Sequence, residues 1–162
     1  MLPVLGYSAS KTFTLYGMRC GAMICMAKTA EIAAEFKQVC EFSARATWSN
    51  STRAAQKVIA NIYEHEKLLA RVNEERKQYR DMLVARGRAF EKSAKEAGLE
   101  IVPFDSGFFA SIPCPNPDEI SRKLEKEGIF IVPLAKGLRV SVASISEERC
   151  AAIPFKIAEA MK

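Results

Sequence analysis

Ser8-Ala-Ser-Lys11-Thr-Phe-Thr-Leu-Tyr16-Gly-Met-Arg19-Cys-Gly21 is the stretch that decides what this chain can be. Two short apolar runs, Met1 to Tyr7 and Cys20 to Met26, flank it and read as strands. Between them stand the hydroxyls of Ser8 and Ser10, the amine of Lys11, and a guanidinium at Arg19, with glycines at 17 and 21. A primary amine can condense with an aldehyde to a Schiff base, and hydroxyls beside a guanidinium can hold a phosphate. The cluster therefore suits a phosphorylated aldehyde, with Lys11 as nucleophile and Ser8, Ser10 and Arg19 as phosphate ligands. The plainer alternative is a solvated loop lysine, and it is the reading that spacing alone favours. Ser8-Ala-Ser-Lys11 also satisfies the S-x-x-K pattern of acyl-serine enzymes, which requires an S-D-N-like triplet and a K-T-G strand downstream. The nearest stretches, Ser49-Asn50 and Lys136-Gly137, fit neither requirement.

Size and composition place the chain in the ordinary globular range: 162 residues, 49% hydrophobic and 27% charged, enough for one domain or two small ones. The net charge of +5 is spread among acids, as in Glu74-Glu-Arg-Lys77 and Arg122-Lys-Leu-Glu-Lys126, so no nucleic-acid partner is expected. No apolar run reaches membrane-spanning length, and Met1-Leu-Pro-Val-Leu lacks the basic flank of a signal peptide; no membrane association is expected. The five cysteines include no C-x-x-C pair and read as reduced thiols of a cytoplasmic protein. With His65 the lone histidine, no metal site is expected.

Outward from the central stretch, the two flanking runs are continuously apolar, as in strands covered on both faces within a larger sheet. Because two strands are marginal alone, the chain reads as the tail end of a longer protein. Thr29 to Ala44 predicts an amphipathic helix with Ile32, Phe36, Val39 and Cys40 on one stripe. Arg45 to Asn50 is a polar break, with Asn50 capping a helix that carries Ala54, Ala55, Val58, Ile59 and Ile62. After Glu64-His65-Glu66-Lys67 a longer helix runs to about Ala97, with Leu68, Leu69, Val72, Tyr79, Met82, Leu83 and Phe90 inward and Gly98 ending it. Strands follow over 99–104 and 107–112, then a helix opened by the capping box Asn116-Pro-Asp-Glu119. Strands over 129–134 and 138–143 surround the Ala135-Lys-Gly137 turn, and Ser144-Ile-Ser-Glu147 starts a last helix that contains Pro154. Residues 99–162 thus form a β–β–α–β–β–α unit able to fold as a small domain.

The Ser8–Gly21 stretch and this order of elements closely resemble the C-terminal part of fold-type I aminotransferases that use pyridoxal 5′-phosphate (PLP). These are the class I/II family of aspartate and aromatic aminotransferases. The resemblance implies an α/β fold: a remnant of the large PLP-binding domain over 1–66, a long linking helix over 67–98, and a small α+β domain over 99–162. It implies PLP as cofactor, Lys11 as the lysine that binds it and later moves the α-proton, and Ser8, Ser10 and Arg19 as its phosphate ligands. Arg139, in Leu138-Arg-Val-Ser-Val142, falls where the family grips the substrate α-carboxylate, a planar group best held by a planar bidentate donor. Arg45, in Arg45-Ala-Thr-Trp-Ser-Asn50, falls in the segment that reaches a neighbouring subunit's site, and Phe109 where an aromatic ring covers the substrate. Without the resemblance, Arg139 would pair with a nearby acid, Arg45 would oppose a helix dipole, and Phe108 and Phe109 would be core.

The implied reaction moves an amino group from an amino acid to a 2-oxo acid, in a homodimer when full-length. Aspartate-like and aromatic substrates both remain open. The family carries upstream the aspartate that pairs with the pyridinium nitrogen and the ring that stacks on PLP. Neither has an equivalent in these 162 residues. The chain alone is therefore expected to bind PLP poorly and to be inactive, as a C-terminal fragment of such an enzyme. A non-catalytic folded module, or truncated gene product, is the alternative.

Overall fold

The structure, a computed structural model, describes residues 1–162. The chain forms two compact units, Met1–Val72 and Asn73–Lys162. Their boundary falls inside the long helix expected to link two domains.

In the first unit β1 (Val4–Ser8) and β2 (Gly21–Cys25) pair antiparallel, from Val4 opposite Cys25 to Ser8 opposite Gly21. The apolar runs were expected to be covered on both faces. Instead β1 is exposed along its whole length and β2 everywhere but Cys25, which is half-buried. A two-stranded ribbon has too few neighbours to bury either face. The helix α1 (Ala9–Thr12) leaves β1 directly, and Ala9 N–H donates to Cys20 O (3.0 Å), which ties its start to the approach of β2. The next helix, α2, runs over Ala30–Trp48, with the Thr29 hydroxyl accepting from Ile32 N–H (3.4 Å). It continues through the expected break at 45–48 and stops at Ser49, whose φ of 68° is left-handed. Of its stripe, Phe36 and Cys40 are half-buried, whereas Ile32 and Val39 are exposed. Asn50 does not cap α3 (Arg53–Glu64); Thr52 takes that position, and Asn50 Oδ1 accepts instead from Ser51 N–H (2.9 Å).

α4 (Glu66–Glu96) starts after the break at His65. Leu69, Val72 and Leu83 are half-buried and Phe90 fully buried, but Leu68, Tyr79 and Met82 are exposed, contrary to the periodicity. Gly98 (φ +65°) ends α4: its N–H donates to Lys95 O (3.2 Å) and that of Leu99 to Ala94 O (2.8 Å). This is the paired termination that a left-handed residue permits.

The second unit is built on β3 (Phe109–Pro113), β4 (Val132–Leu134) and β5 (Gly137–Ser141), all antiparallel in the order β3-β5-β4. α5 (Pro117–Glu125) and α6 (Glu147–Ala160) complete it. Residues 99–104 are not a strand; only Val102 N–H reaches β3, at Ser111 O (2.9 Å). The expected strands at 129–134 and 138–143 are also shorter, the second giving way to a 3₁₀ turn over Val142–Ser144. Asn116 makes no side-chain cap bond, and Glu119 pairs with Lys123 (3.3 Å) rather than closing a capping box. Ser146 caps α6, accepting from Arg149 N–H (3.4 Å).

Ala110 and Ile112 of β3 lie opposite Val140 and Leu138 of β5, and these four face the core with Phe90, Leu124, Cys150 and Ile157. A Cβ at Gly137 would collide with the Ile112 carbonyl oxygen, so only glycine lets β5 start this close to β3. Burial pushes the Cys150 thiol up, with nearby Arg86 opposing; its Sγ donates to Val142 O (3.7 Å).

Leu124→Ala should cost about 2–5 kcal/mol in urea unfolding of the second unit, as for other buried leucines. Ile24→Ala on exposed β2 should change stability by no more than about 0.5 kcal/mol. A raised thiol pKa in the folded state contributes stability that is complete below the unfolded thiol value, near about 8.5. That contribution is lost as pH rises through the folded value. The denaturation midpoint of the wild type should therefore fall above about pH 9 more steeply than that of Cys150→Ala.

Candidate functional site

The Ser8–Gly21 stretch is positioned by a small apolar anchor. Ala9 and Phe13 of the α1 segment are buried, and the Phe13 ring meets Tyr63 of α3 edge-on, 6.1 Å between centroids. With Ala9 and Phe13 turned in, Lys11 between them is exposed. Ser8 caps α1: its Oγ accepts from Ser10 N–H (3.3 Å), which leaves the hydroxyl proton of Ser8 able to donate to an anion.

A turn over Tyr16–Met18 then brings Arg19 back toward the lysine. Arg19 has φ 51°, a left-handed conformation that costs a side-chain-bearing residue about 1–2 kcal/mol. Its Nη1 donates to Tyr16 O (2.8 Å). The Tyr16 ring takes both cations, Lys11 Nζ at 4.7 Å and Arg19 Cζ at 5.0 Å from its centroid. Amine and guanidinium are therefore no farther apart than those two lengths together. Of the four residues singled out in this stretch, Lys11 and Arg19 are brought together on the Tyr16 ring.

Arg139 and Phe109 meet in the second unit. They lie on the face of the β3–β5 pair opposite the core and are diagonal neighbours, since Phe109 is opposite Ser141. The Arg139 guanidinium sits over the Phe109 ring at 4.7 Å. Its Nε is buried and makes no hydrogen bond, so no acid takes the pairing that the plainest expectation gave it. Phe109 is exposed and Phe108 half-buried, so Phe109 is not core. Arg45 lies in the last turn of α2, where its Nη1 donates to Ser49 Oγ (2.7 Å). A concavity of about 450 Å³ in the second unit is lined by Pro113, Cys114, Pro115, Ala135 and Lys136, none of them a residue singled out in the sequence.

Sequence reasoning passed over Tyr16 and Arg86. Tyr16 stood inside the quoted stretch, and an aromatic residue between two cations was the available signal. Arg86 Nη1 donates to Ala143 O (2.9 Å), bracing the turn after β5 from α4; nothing in its helical context marked it.

Comparison with known proteins bears on the whole chain. The family model of aminotransferase class I and II matches residues 3–153. No curated protein matches. Among solved structures, an aminotransferase of Anaerococcus prevotii is 36% identical with a TM-score of 0.94, covering 99% of this chain and 39% of its own. An aromatic-amino-acid aminotransferase of Burkholderia pseudomallei, covalently bound to pyridoxal phosphate, is 24% identical (TM-score 0.75; 98% and 40% covered). A mitochondrial aspartate aminotransferase of Trypanosoma brucei is 22% identical (TM-score 0.76; 99% and 42% covered). The chain thus spans about two fifths of the length of the structures it matches.

A buried donor without an acceptor is a standing cost to the fold. Arg139→Leu should therefore raise the stability of the second unit by about 1 kcal/mol in urea unfolding. A loss of that size instead would mean that the guanidinium is a structural strut.

Proposed function

The chain belongs to the class I and II aminotransferases, and from that premise we propose that it supplies the lysine-bearing and carboxylate-gripping residues of a PLP-dependent transaminase. The observation that carries this is the gathering of Lys11 and Arg19 on one ring, with Ser8 and Ser10 close by along the chain. That donor set fits a phosphorylated aldehyde: a primary amine for the carbonyl carbon, and a cation with two hydroxyls for the phosphate. The fit is supported also by the Burkholderia structure, which is described as covalently bound to pyridoxal phosphate.

When bound, PLP supplies the electron sink that makes the α-proton of an amino acid removable. Lys11 Nζ would hold the cofactor and, when its amine is free, would serve as the base that takes the proton from the substrate α-carbon. Arg19, with Ser8 and Ser10, binds the phosphate. Arg139 takes the α-carboxylate in a bidentate grip through its guanidinium, and Phe109, whose ring lies against that guanidinium, covers the substrate. Arg45 serves the distal group of a substrate bound in a neighbouring subunit of a homodimer, which admits a dicarboxylic amino acid; aromatic substrates are the companion class. The setting proposed is cytoplasmic, consistent with five free cysteines, and no helix is long and apolar enough to cross a membrane.

Treatment of the purified chain with PLP and then borohydride should place the label on Lys11, and Lys11→Arg should abolish that labelled peptide. Label spread without preference over the other lysines would overturn the assignment. Aspartate and 2-oxoglutarate should give no measurable turnover with the 162-residue chain alone, since the partner for the pyridinium nitrogen is not among these residues.

A further inference from the structure

We propose that Tyr16 is a positioning residue: its ring holds the Lys11 amine and the Arg19 guanidinium at a fixed separation, and so selects an aldehyde that carries a phosphate. The inference rests on the role given above to Lys11 and Arg19 and adds to it the group that sets their spacing. Tyr16 is largely solvent-exposed, 62% of its surface, so hydrophobic burial does not explain its placement. What it touches is charge. Lys11 Nζ lies 4.7 Å and Arg19 Cζ 5.0 Å from the ring centroid, both within the range where an aromatic quadrupole attracts a cation.

Two cations repel each other, and ordering two long side chains on an exposed turn costs conformational entropy. The negative face of the ring offsets both. The backbone adds a second tie, because Arg19 Nη1 donates to the carbonyl of Tyr16 itself (2.8 Å). Tyr16 is thus bonded to the guanidinium at two points and to the amine at one. An aldehyde with a phosphate can engage both cations, the amine at the carbonyl carbon and the guanidinium at the phosphate. An aldehyde without phosphate engages only the amine and gains nothing from the fixed spacing.

The test compares labelling of Lys11 by PLP and by pyridoxal, which lacks the phosphate, each followed by borohydride. The wild type should prefer PLP. Tyr16→Leu should cut that preference roughly three- to fivefold, the size expected of an exposed cation–ring contact. Tyr16→Phe, which keeps the ring and loses only the hydroxyl, should restore it. Equal preference in wild type and Tyr16→Leu overturns the positioning role while leaving the function of Lys11 intact. A wild type that shows no preference at Lys11, or one unaffected by Arg19→Gln, overturns the phosphate reading and the positioning role with it. Proton NMR gives a readout free of cofactor. The Lys11 ε-methylene and Arg19 δ-methylene resonances should lie upfield of random-coil values and return to them in Tyr16→Leu. Random-coil shifts in the wild type overturn the proposal.

Discussion

The second unit depends on how closely β5 approaches β3. Gly137 enters the sheet with the Ile112 carbonyl where a side chain would begin, and from that point the alternation of a strand fixes the rest. Leu138 and Val140 turn to the core, where they meet Ile112 and Ala110 and are roofed by α5 and α6. Arg139 must then turn the other way. The guanidinium is held over Phe109 because strand geometry offers it no other face, and its Nε is left without an acceptor. A packing constraint on one glycine is thereby converted into the orientation of a guanidinium.

The first unit works by a different balance. Its ribbon of two strands buries almost nothing, and its only deeply placed side chains are Ala9, Phe13 and Ala55. Order in the Ser8–Gly21 stretch comes from the Ala9–Phe13 anchor together with short-range polar contacts. These are the Ser8 cap, the Ala9–Cys20 backbone bond, the left-handed turn at Arg19 and the ring of Tyr16. Such contacts are individually weak and act over a short length of chain. The two units therefore differ in how they hold their cations: one presents an amine and a guanidinium on a lightly packed turn, and the other presents a guanidinium on a well-packed sheet.

Legibility differed with the kind of force involved. The break at His65, the end of α4 at Gly98 and the start of α5 at Pro117 were readable, because capping and turn chemistry act within a few residues. The end of α2 was misplaced because polar residues at 45–47 are compatible with an exposed last helical turn, and α2 simply continues through them. Residues 99–104 look like a strand by composition, yet a strand exists only where a partner offers a ladder, and β3 offers them a single bond. Exposure of Leu68, Tyr79 and Met82 was invisible for the same reason: periodicity states which face is apolar and not whether anything covers it.

The sequence by itself determined which groups stand together: the amine, the two hydroxyls and the guanidinium of residues 8–19 are so close along the chain that almost any compact path keeps them near one another. It also determined most of the element order, since apolar period and turn residues are local properties; the strand expected over 99–104 is the exception. Only the tertiary structure decided that Tyr16 joins the two cations, that Arg139 stands unpaired over Phe109, and that Arg86 of α4 braces the turn after β5. The cation–ring contacts of Tyr16 and Arg139 depend on side-chain directions fixed by the path of the turn and by strand register. The bond from Arg86 joins residues far apart in the chain, and no local pattern encodes it.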